Sequence, residues 1–203
     1  MKIVDLTMPL DEKTPVFPGD PKPNFDQLRT IEKGGCNVLT LSFASHIGTH
    51  IDAPFHFIKE GKKIHEFALD YFIGNTIVFD CTGQTEITLT PQELSKIKPH
   101  DIVFIKTRWS DLYNREDYFS NYPTLSKETA ENLVKKKIRI VGLDTPSPDK
   151  EPYDLHPIFL KNNICIVENL VNLSQLPKQC ISSIIPLNIT NGDGAPCRVF
   201  AMV

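Results

Sequence analysis

Side chains able to bind metal are concentrated in one short stretch, Ser45 to His56, which reads SHIGTHIDAPFH. It contains three of the chain's six histidines, with Asp52 between the second and the third. Imidazole nitrogens and carboxylate oxygens are the ligands that Zn²⁺ and Mn²⁺ take when no thiolate is available. A bound ion of this kind lowers the pKa of a water molecule to about 7 and polarises a carbonyl group. These residue types therefore predict part of a metal centre.

The spacing of these side chains requires a turn. In an extended strand, His46 and His50 would lie roughly 13 Å apart, at about 3.3 Å per residue, which is too far to share an ion. A helix would bring them together, but Gly48, the β-branched residues around it and Pro54 disfavour a helix. We expect a turn at Gly48, because glycine adopts positive φ at little cost. His50 and Asp52 then point to the same side of an extended segment.

The stretch resembles the HxGTHxDxPxH signature of the cyclase family of metal-dependent hydrolases, whose members include the bacterial kynurenine formamidases. The resemblance implies that His46, His50 and Asp52 bind metal. It also implies that His56 is the proton donor and acceptor of the reaction. The alternatives for His56 are a fourth metal ligand and a histidine of the core.

Two residues of the distal half could complete the site. His156 opens a short apolar segment that predicts a helix, and Glu168 ends the strand pattern ICIVE. Glu168 also has an ordinary explanation, a carboxylate that reaches water where a strand ends. In the resembled family, a histidine and a glutamate separated in this way supply the remaining ligands, which implies that role for both residues here. Such a set suffices for two ions about 3.5–4 Å apart, bridged by Asp52 or Glu168.

Aromatic residues mark two candidate substrate contacts. The segment VFPGDP resembles the family's entry motif, in which an aromatic residue before Pro-Gly-Asp lines the substrate pocket, and Phe17 holds that position where kynurenine formamidases usually have Trp. The alternative for Phe17 is a packed residue in a proline-rich turn. The segment from Arg108 to Tyr122 is either an active-site lid or a surface excursion, with Trp109, Tyr113 and Tyr118 as candidate stacking residues. Phe57 is expected to pack against other residues rather than to contact a ligand.

The resemblance implies hydrolysis of a small aryl amide, with N-formyl-L-kynurenine going to L-kynurenine and formate as the first choice. The cofactor it implies is Zn²⁺, as one or two ions, with Mn²⁺ as the alternative. Because Phe17 replaces Trp, a cyclic amide, imide or lactone, as in isatin hydrolases, remains a second substrate class. A metal-binding protein without turnover is the alternative outside the enzymes. The resemblance also implies a homodimer.

The elements that must position these residues alternate along the chain. Asn37 to Ala44 has the two-residue period of a strand leading into the histidine-rich stretch, and Asn191 to Gly194 predicts a turn. Further strand patterns alternate with helices predicted after Thr90 and Ser126. We therefore expect an α/β fold with a mixed central β-sheet flanked by a few helices, as a single domain over residues 1–203. The resemblance implies the swivelling β/β/α arrangement of the cyclase family.

Composition limits the partners. Lys+Arg 22 against Asp+Glu 25 gives a formal charge of -3, and no basic stripe is present beyond the lysines at 135–137, so nucleic acid is not an expected partner. No apolar run approaches the roughly 20 residues of a membrane span. The N-terminus lacks the apolar core of a signal peptide, and five scattered cysteines favour reduced thiols over a disulfide framework. These features predict a cytoplasmic protein without a membrane partner.

Overall fold

A mixed β-sheet that closes on itself forms the centre of the fold. The structure, a computed structural model, describes all residues from 1 to 203. Its strands are β1 (Ile3–Asp5), β2 (Asn24–Arg29), β3 (Val38–Ser42), β4 (His50–Asp52), β5 (Ile73–Asp80), β6 (Glu86–Ile87), β7 (Ile102–Lys106), β8 (Thr124–Leu125), β9 (Ile140–Leu143), β10 (Cys165–Glu168), β11 (Gln179–Pro186) and β12 (Gly194–Met202).

Eight of these strands form the main sheet, in the order β1-β12-β11-β5-β7-β9-β10-β4. Because β12 also pairs with β4, the strands from β12 to β4 close into a barrel-like ring, and β1 extends the ring at β12. The run β5-β7-β9-β10 is parallel, and the remaining pairings of this sheet are antiparallel. The α/β fold with a mixed central sheet predicted from the sequence is confirmed.

Four α-helices connect the strands: α1 (Ile31–Gly34), α2 (Pro91–Leu94), α3 (Lys127–Lys135) and α4 (Leu155–Leu160). Thr90 caps α2 through a reciprocal pair of hydrogen bonds with Glu93, and the Ser126 hydroxyl caps α3 by accepting from the Thr129 amide. Both predicted helix starts are therefore present. None of the four has the length and hydropathy that crossing a bilayer requires.

The sheet separates two apolar clusters. Along β7, Ile102 and Phe104 belong to one cluster, whereas Val103 and Ile105 belong to the other, which also contains Leu133 of α3 and Phe159 of α4. Alternate residues of a strand point to opposite faces, so β7 is buried on both. This double burial explains why the strand is a continuous apolar run rather than an alternating one.

The strand that precedes the histidine-rich stretch lies outside the main sheet. The predicted strand exists as β3, but β3 pairs only with β2, in a separate two-stranded hairpin. Most residues of this hairpin are exposed, among them Leu39 and Leu41. The strand predicted to lead into the site is therefore present, but it is not part of the main sheet. The stretch is held instead by its own strand β4, which lies between β10 and β12.

Candidate metal centre and its cavity

Strand β4 holds two side chains of the histidine-rich stretch against the distal half of the chain. Its antiparallel register with β10 sets His50 opposite Glu168. Directly opposite residues of an antiparallel pair have Cβ atoms about 4.5–5.5 Å apart. Nε2 of His50 accordingly lies 3.2 Å from Oε2 of Glu168. Strand pairing thus brings together the two halves of the predicted ligand set.

A left-handed turn at Gly48 folds His46 back towards the same group. The φ angle of Gly48 is +54°, and a Cβ at this position would lie 2.5 Å from Cδ2 of Leu10. Glycine adopts this left-handed conformation without the strain that other residues have there. Nδ1 of His46 lies 2.8 Å from Oδ1 of Asp52, and Nε2 of His50 lies 3.4 Å from the same oxygen. The turn expected at Gly48 is present.

Helix α4 adds a third histidine, His156, to this group. Nε2 of His156 lies 3.6 Å from Oε1 of Glu168 and 3.8 Å from Oδ2 of Asp52. Each carboxylate therefore turns one oxygen towards His50 and the other towards His156. His50, Asp52, His156 and Glu168 are all buried, and we refer to them as the inner end of the site.

The inner end contains carboxylate oxygens without partners. Oδ2 of Asp52 and Oε1 of Glu168 are buried and accept no hydrogen bond. An unsatisfied buried polar group costs about 1–3 kcal/mol, and more when it is charged. No lysine or arginine lines the cavity to offset these charges. One nitrogen of His50 and one oxygen from each carboxylate lie within 4.8 Å of one another, so the donor set fits a zinc-type or manganese-type ion.

The outer end of the site consists of His46, His56 and Asp193, whose side chains are 17%, 29% and 38% exposed. The two imidazole rings pack with centroids 3.9 Å apart and planes inclined by 30°. Oδ2 of Asp193 lies 2.9 Å from Nε2 of His46 and 3.5 Å from Nδ1 of His56. His56 is held in a single 3-10 turn, Pro54–His56, close behind β4. Its ligand atom is also within 4.8 Å of those of His46 and Asp52, so both of its predicted roles are within reach.

In His50 and His156, the ring nitrogen that faces away from Asp52 and Glu168 lies close to an oxygen atom outside the inner end. Nδ1 of His50 donates to the carbonyl oxygen of Gly48 over 2.9 Å. Nδ1 of His156 lies 2.7 Å from Oδ1 of Asp149. The other oxygen of Asp149 accepts the amide of Leu155 at the start of α4. Outer contacts of this kind fix the tautomer and orientation of a ligating histidine.

The charges of the site shift several pKa values. Burial opposes a charge on His46, but Asp52 and Asp193 outweigh it and raise the pKa of His46 to about 10. Burial also opposes a charge on His156, yet the carboxylates of Asp149 and Glu168 raise its pKa to about 10. Burial favours the neutral acid at Asp52, but the neighbouring histidines, led by His46, hold its pKa well below the usual range. The site therefore favours bound positive charge.

A cavity of about 260 Å³ leads to both ends of the site, and aromatic rings form part of its wall. Phe17 lies in this wall, edge-on to Phe119 at 5.7 Å and to Tyr153 at 6.4 Å between ring centroids. Phe57 stacks on the ring of His156 with centroids 4.5 Å apart. A flat aromatic ligand would meet complementary faces and edges here. The predicted metal ligands, His56 and Phe17 all line this one cavity.

Several residues of the site were not identified from the sequence. Phe57 is expected from the sequence to pack rather than to contact a ligand, but it lines the cavity and is 39% exposed. In the segment from Arg108 to Tyr122, Trp109 stacks on the buried Tyr118, and the residue that reaches the cavity is Phe119. The stacking candidates proposed there were therefore the wrong ones. Their aromatic character alone could not show which ring faces inwards.

Asp193 was missed for a different reason. Its sequence context, Asn-Gly-Asp-Gly, indicates a turn, and the structure has that turn just before β12. The turn also delivers a carboxylate to His46, which lies 147 positions earlier in the chain. Gly194 makes room for this approach, since a Cβ there would lie 2.9 Å from Cε1 of His46. The closed ring of strands creates this contact, and no local pattern encodes it.

Similarity to known proteins extends over nearly the whole chain. The model of the Cyclase family matches residues 4–150. The kynurenine formamidase of Bacillus anthracis is 32% identical over 204 residues, which cover 97% of this chain and 95% of that protein. The kynurenine formamidase of Geobacillus thermodenitrificans is 31% identical over 199 residues, covering 96% and 94%. Isatin hydrolase A from Labrenzia aggregata, solved with benzyl benzoate, aligns with a TM-score of 0.88 and 28% identity, covering 100% of this chain and 93% of that chain.

The closed mixed sheet, the cluster of imidazoles and carboxylates and these similarities together define a metal-dependent hydrolase. The chain belongs to the cyclase family. The family membership that the histidine-rich stretch implied is therefore confirmed, and so is the prediction of an enzyme of the hydrolase class.

Proposed function

We propose that this protein hydrolyses a small aryl amide, with N-formyl-L-kynurenine, converted to L-kynurenine and formate, as the preferred substrate. One observation carries the proposal: unpartnered buried carboxylate oxygens and an accessible imidazole, His56, share an aromatic-walled cavity. The 31% and 32% identity to relatives named kynurenine formamidase supports this choice of substrate. The aromatic wall would bind the aryl ring, the carboxylate oxygens would bind the ion, and His56 would transfer the proton. Hydrolysis of an aryl amide in this cavity uses all three.

His46, His50, Asp52, His156 and Glu168 would hold the metal in this proposal, as one or two Zn²⁺ ions, with Mn²⁺ as the alternative. The division of the carboxylate oxygens supports two ions, because each carboxylate turns one oxygen towards His50 and the other towards His156. When bound, such an ion lowers the pKa of a water molecule and polarises the carbonyl group under attack.

His56 would act as the general acid and base. The departing nitrogen of an anilide is a poor leaving group unless it is protonated, and a positioned acid or base contributes about 10²- to 10⁴-fold to such a step. The imidazole lines the cavity and is 29% exposed, so it can reach a bound amide and exchange protons with solvent. Phe17 and Phe57 would hold the aryl group and exclude water from its faces.

A second candidate, hydrolysis of a cyclic amide such as isatin, rests on its own observations. Isatin hydrolase A aligns over the full length of this chain at 28% identity. The residue in the cavity wall before Pro-Gly-Asp is Phe17, whereas Trp is usual in kynurenine formamidases. Phenylalanine is smaller than tryptophan, so its presence at this position would change the shape of the aromatic substrate that fits the cavity.

A substrate panel separates these candidates. The protein, loaded with zinc or with manganese, would be assayed on N-formyl-L-kynurenine, isatin and an aryl lactone, with metal content measured by ICP mass spectrometry. We expect the largest kcat/KM for the formamide, and a larger value for isatin would favour the second candidate. A folded, metal-loaded protein that turns over none of the three would contradict an enzymatic function. Glu131→Gln, at an exposed position of α3, is the matched control and should behave as wild type.

We also propose that the protein is a homodimer, formed through the β2–β3 hairpin. Leu28, Leu39 and Leu41 of this hairpin are 63%, 49% and 52% exposed, and the hairpin pairs with no strand of the main sheet. Clustered exposed apolar side chains mark interaction surfaces. Light scattering coupled to gel filtration should give twice the 23.0 kDa chain mass. Leu41→Glu should lower that mass, whereas Leu69→Glu, exposed outside the hairpin, should not.

Two further assignments are proposals of the same kind. A single domain over residues 1–203 is supported because β10, β11 and β12, beyond residue 150, close the same ring as the earlier strands. Limited proteolysis should then release no stable fragment. A cytoplasmic location is supported by five unpaired cysteines, which suit a reducing compartment. Fractionation of the source cells tests it.

A further inference from the structure

The carboxylate of Asp193 is oriented from three sides. Its Oδ1 accepts a hydrogen bond from the Ser45 hydroxyl over 2.9 Å. Its Oδ2 faces Nε2 of His46 at 2.9 Å and Nδ1 of His56 at 3.5 Å. The main chain is fixed as well, because the Asp193 carbonyl accepts the amide of Ala53 over 2.9 Å. A side chain constrained in this way can impose an orientation on the rings that it contacts.

The three proposed ligand histidines share one arrangement. One nitrogen of each faces Asp52 or Glu168, and the other faces an outer acceptor. The outer acceptors are the carbonyl of Gly48 for His50, Asp149 for His156 and Asp193 for His46. Of these acceptors, Asp193 alone also contacts the ring of His56.

The imidazole ring of His56 can take two orientations in the same plane, and only one of them places Nδ1 next to Asp193. The ring packs against that of His46 with centroids 3.9 Å apart, which fixes the plane of the ring. A rotation of 180° about the Cβ–Cγ bond would keep this plane, but it would exchange Nδ1 with Cδ2 and Nε2 with Cε1. A carboxylate next to Nδ1 favours the orientation in which that nitrogen carries the proton. Nε2, on the far edge of the ring, is then free for the substrate.

We propose that Asp193 is a positioning residue that holds His56 with its Nδ1–H towards the carboxylate and its Nε2 towards the cavity. This role rests on the proposed amide hydrolysis. As the oxygen of water bonds to the carbonyl carbon, its proton passes to Nε2 of His56. The same nitrogen returns that proton to the amine nitrogen as the C–N bond breaks. Asp193 takes no proton at any step, and its hydrogen bond to Nδ1–H tightens from the 3.5 Å contact seen here.

The first test reads the tautomer of His56 directly and needs no turnover. Long-range ¹H–¹⁵N NMR on the zinc-loaded protein should show the neutral imidazole protonated on Nδ1, with the signals assigned by their loss in His56→Ala. Asp193→Ala should shift the ring to the Nε2–H form, whereas Asp70→Ala, at an exposed position without a side-chain partner, should leave it unchanged. An Nε2–H form in wild type, or no shift in Asp193→Ala, would overturn the proposal.

The second test compares two leaving groups. Formanilide requires protonation of its departing nitrogen, whereas 4-nitrophenyl formate releases a stable phenolate without help. Asp193→Ala should lower kcat on formanilide by about 10- to 100-fold, the usual cost of an outer partner. It should change KM little, retain the metal and lower ester turnover less than amide turnover, because the ester uses His56 as a base towards water but not as an acid towards the leaving group. Asp193→Asn, whose amide oxygen can still accept from Nδ1–H, should recover part of the loss.

A double variant decides whether the effect passes through His56. If it does, adding Asp193→Ala to His56→Ala should cost nothing further on formanilide. Equal losses on amide and ester, or loss of metal in Asp193→Ala, would assign Asp193 to support of His46 and overturn the proposal. A wild-type protein inactive on every amide would defeat the proposed function alone, because the tautomer measurement still decides the role of Asp193.

Discussion

The two ends of the site differ in exposure and in how completely their polar atoms are paired. At the inner end, the side chains of His50, Asp52, His156 and Glu168 are at most 8% exposed, and two carboxylate oxygens have no partner. At the outer end, His46, His56 and Asp193 are 17–38% exposed, and Asp193 is satisfied by Ser45 and His46. The inner end therefore has carboxylate oxygens left to ligate a cation, whereas the carboxylate of the outer end is already paired.

This difference suggests a division of labour within one cavity. A buried, negatively charged group cannot exchange its counter-charge easily with solvent, so it suits an ion that stays bound. A partly hydrated imidazole can gain and lose protons with each turnover. His46 contacts both ends, through Nδ1 to Asp52 and through Nε2 to Asp193. Substitutions at the two ends should therefore fail in different ways.

The largest effect is expected at the inner end. His50→Ala removes a buried imidazole that faces both Asp52 and Glu168, so metal and activity should be lost together. The loss of affinity should exceed the 10- to 100-fold typical of an outer partner. Metal content by ICP mass spectrometry and turnover of N-formyl-L-kynurenine measure the two losses. An active, metal-loaded His50→Ala would remove the distinction between the ends.

His56→Ala should separate rate from metal binding. We expect kcat to fall by about 10²- to 10⁴-fold, the contribution of a general acid or base, while metal content stays at the wild-type level. The same two measurements apply, with Glu131→Gln as the control for handling. If His56→Ala loses its ion, His56 belongs with the ligands and the outer end has no separate chemical role.

The pH dependence of stability should differ with and without metal. His46 and His156 have pKa values raised from 6.5 to about 10, so the folded protein keeps protons that the unfolded chain releases. The free energy of unfolding of the metal-free protein should therefore fall as the pH rises through this interval. Zinc replaces those protons, so the zinc-loaded protein should show no such fall. Urea unfolding near pH 6.5 and near pH 9.5, with EDTA or with zinc, measures how the free energy of unfolding changes with pH in each form. An equal change in the two forms would contradict the idea that zinc and protons compete for the same histidines.

The smallest effect is expected in the cavity wall. Phe17 makes edge-on contacts with Phe119 and Tyr153. Aromatic pairs contribute about 0.5–1.5 kcal/mol, so Phe17→Leu should raise KM by about two- to tenfold and leave metal content unchanged. Tyr113→Leu, outside the cavity, is the matched control. A fall in kcat with unchanged KM would place Phe17 in the chemistry rather than in binding.

The sequence predicted those parts of the site that local patterns encode. The turn at Gly48, the shared direction of His50 and Asp52, and the strand that ends at Glu168 all follow from residue type and spacing. The pairing of β4 with β10, which sets His50 opposite Glu168, does not follow from either segment alone. It was reached through resemblance to a known family, which carries long-range information that one sequence lacks.

The remaining parts depend on tertiary structure. Asp193 occurs in a turn sequence and becomes a site residue only because β12 pairs with β4. The period of β3 predicted a strand correctly, but periodicity cannot tell a sheet strand from an exposed hairpin arm. Phe57 follows a proline-containing turn, and only the packing of α4 shows that its ring stacks on His156.

The central claim is that the inner end binds a divalent ion. A crystal structure of the protein grown with zinc, with anomalous data collected on both sides of the zinc edge, tests it most directly. We expect an anomalous peak about 2.0–2.2 Å from nitrogen of His50 and from carboxylate oxygens of Asp52 and Glu168. A fully ordered site without such a peak, or zinc bound only elsewhere on the surface, would contradict the account.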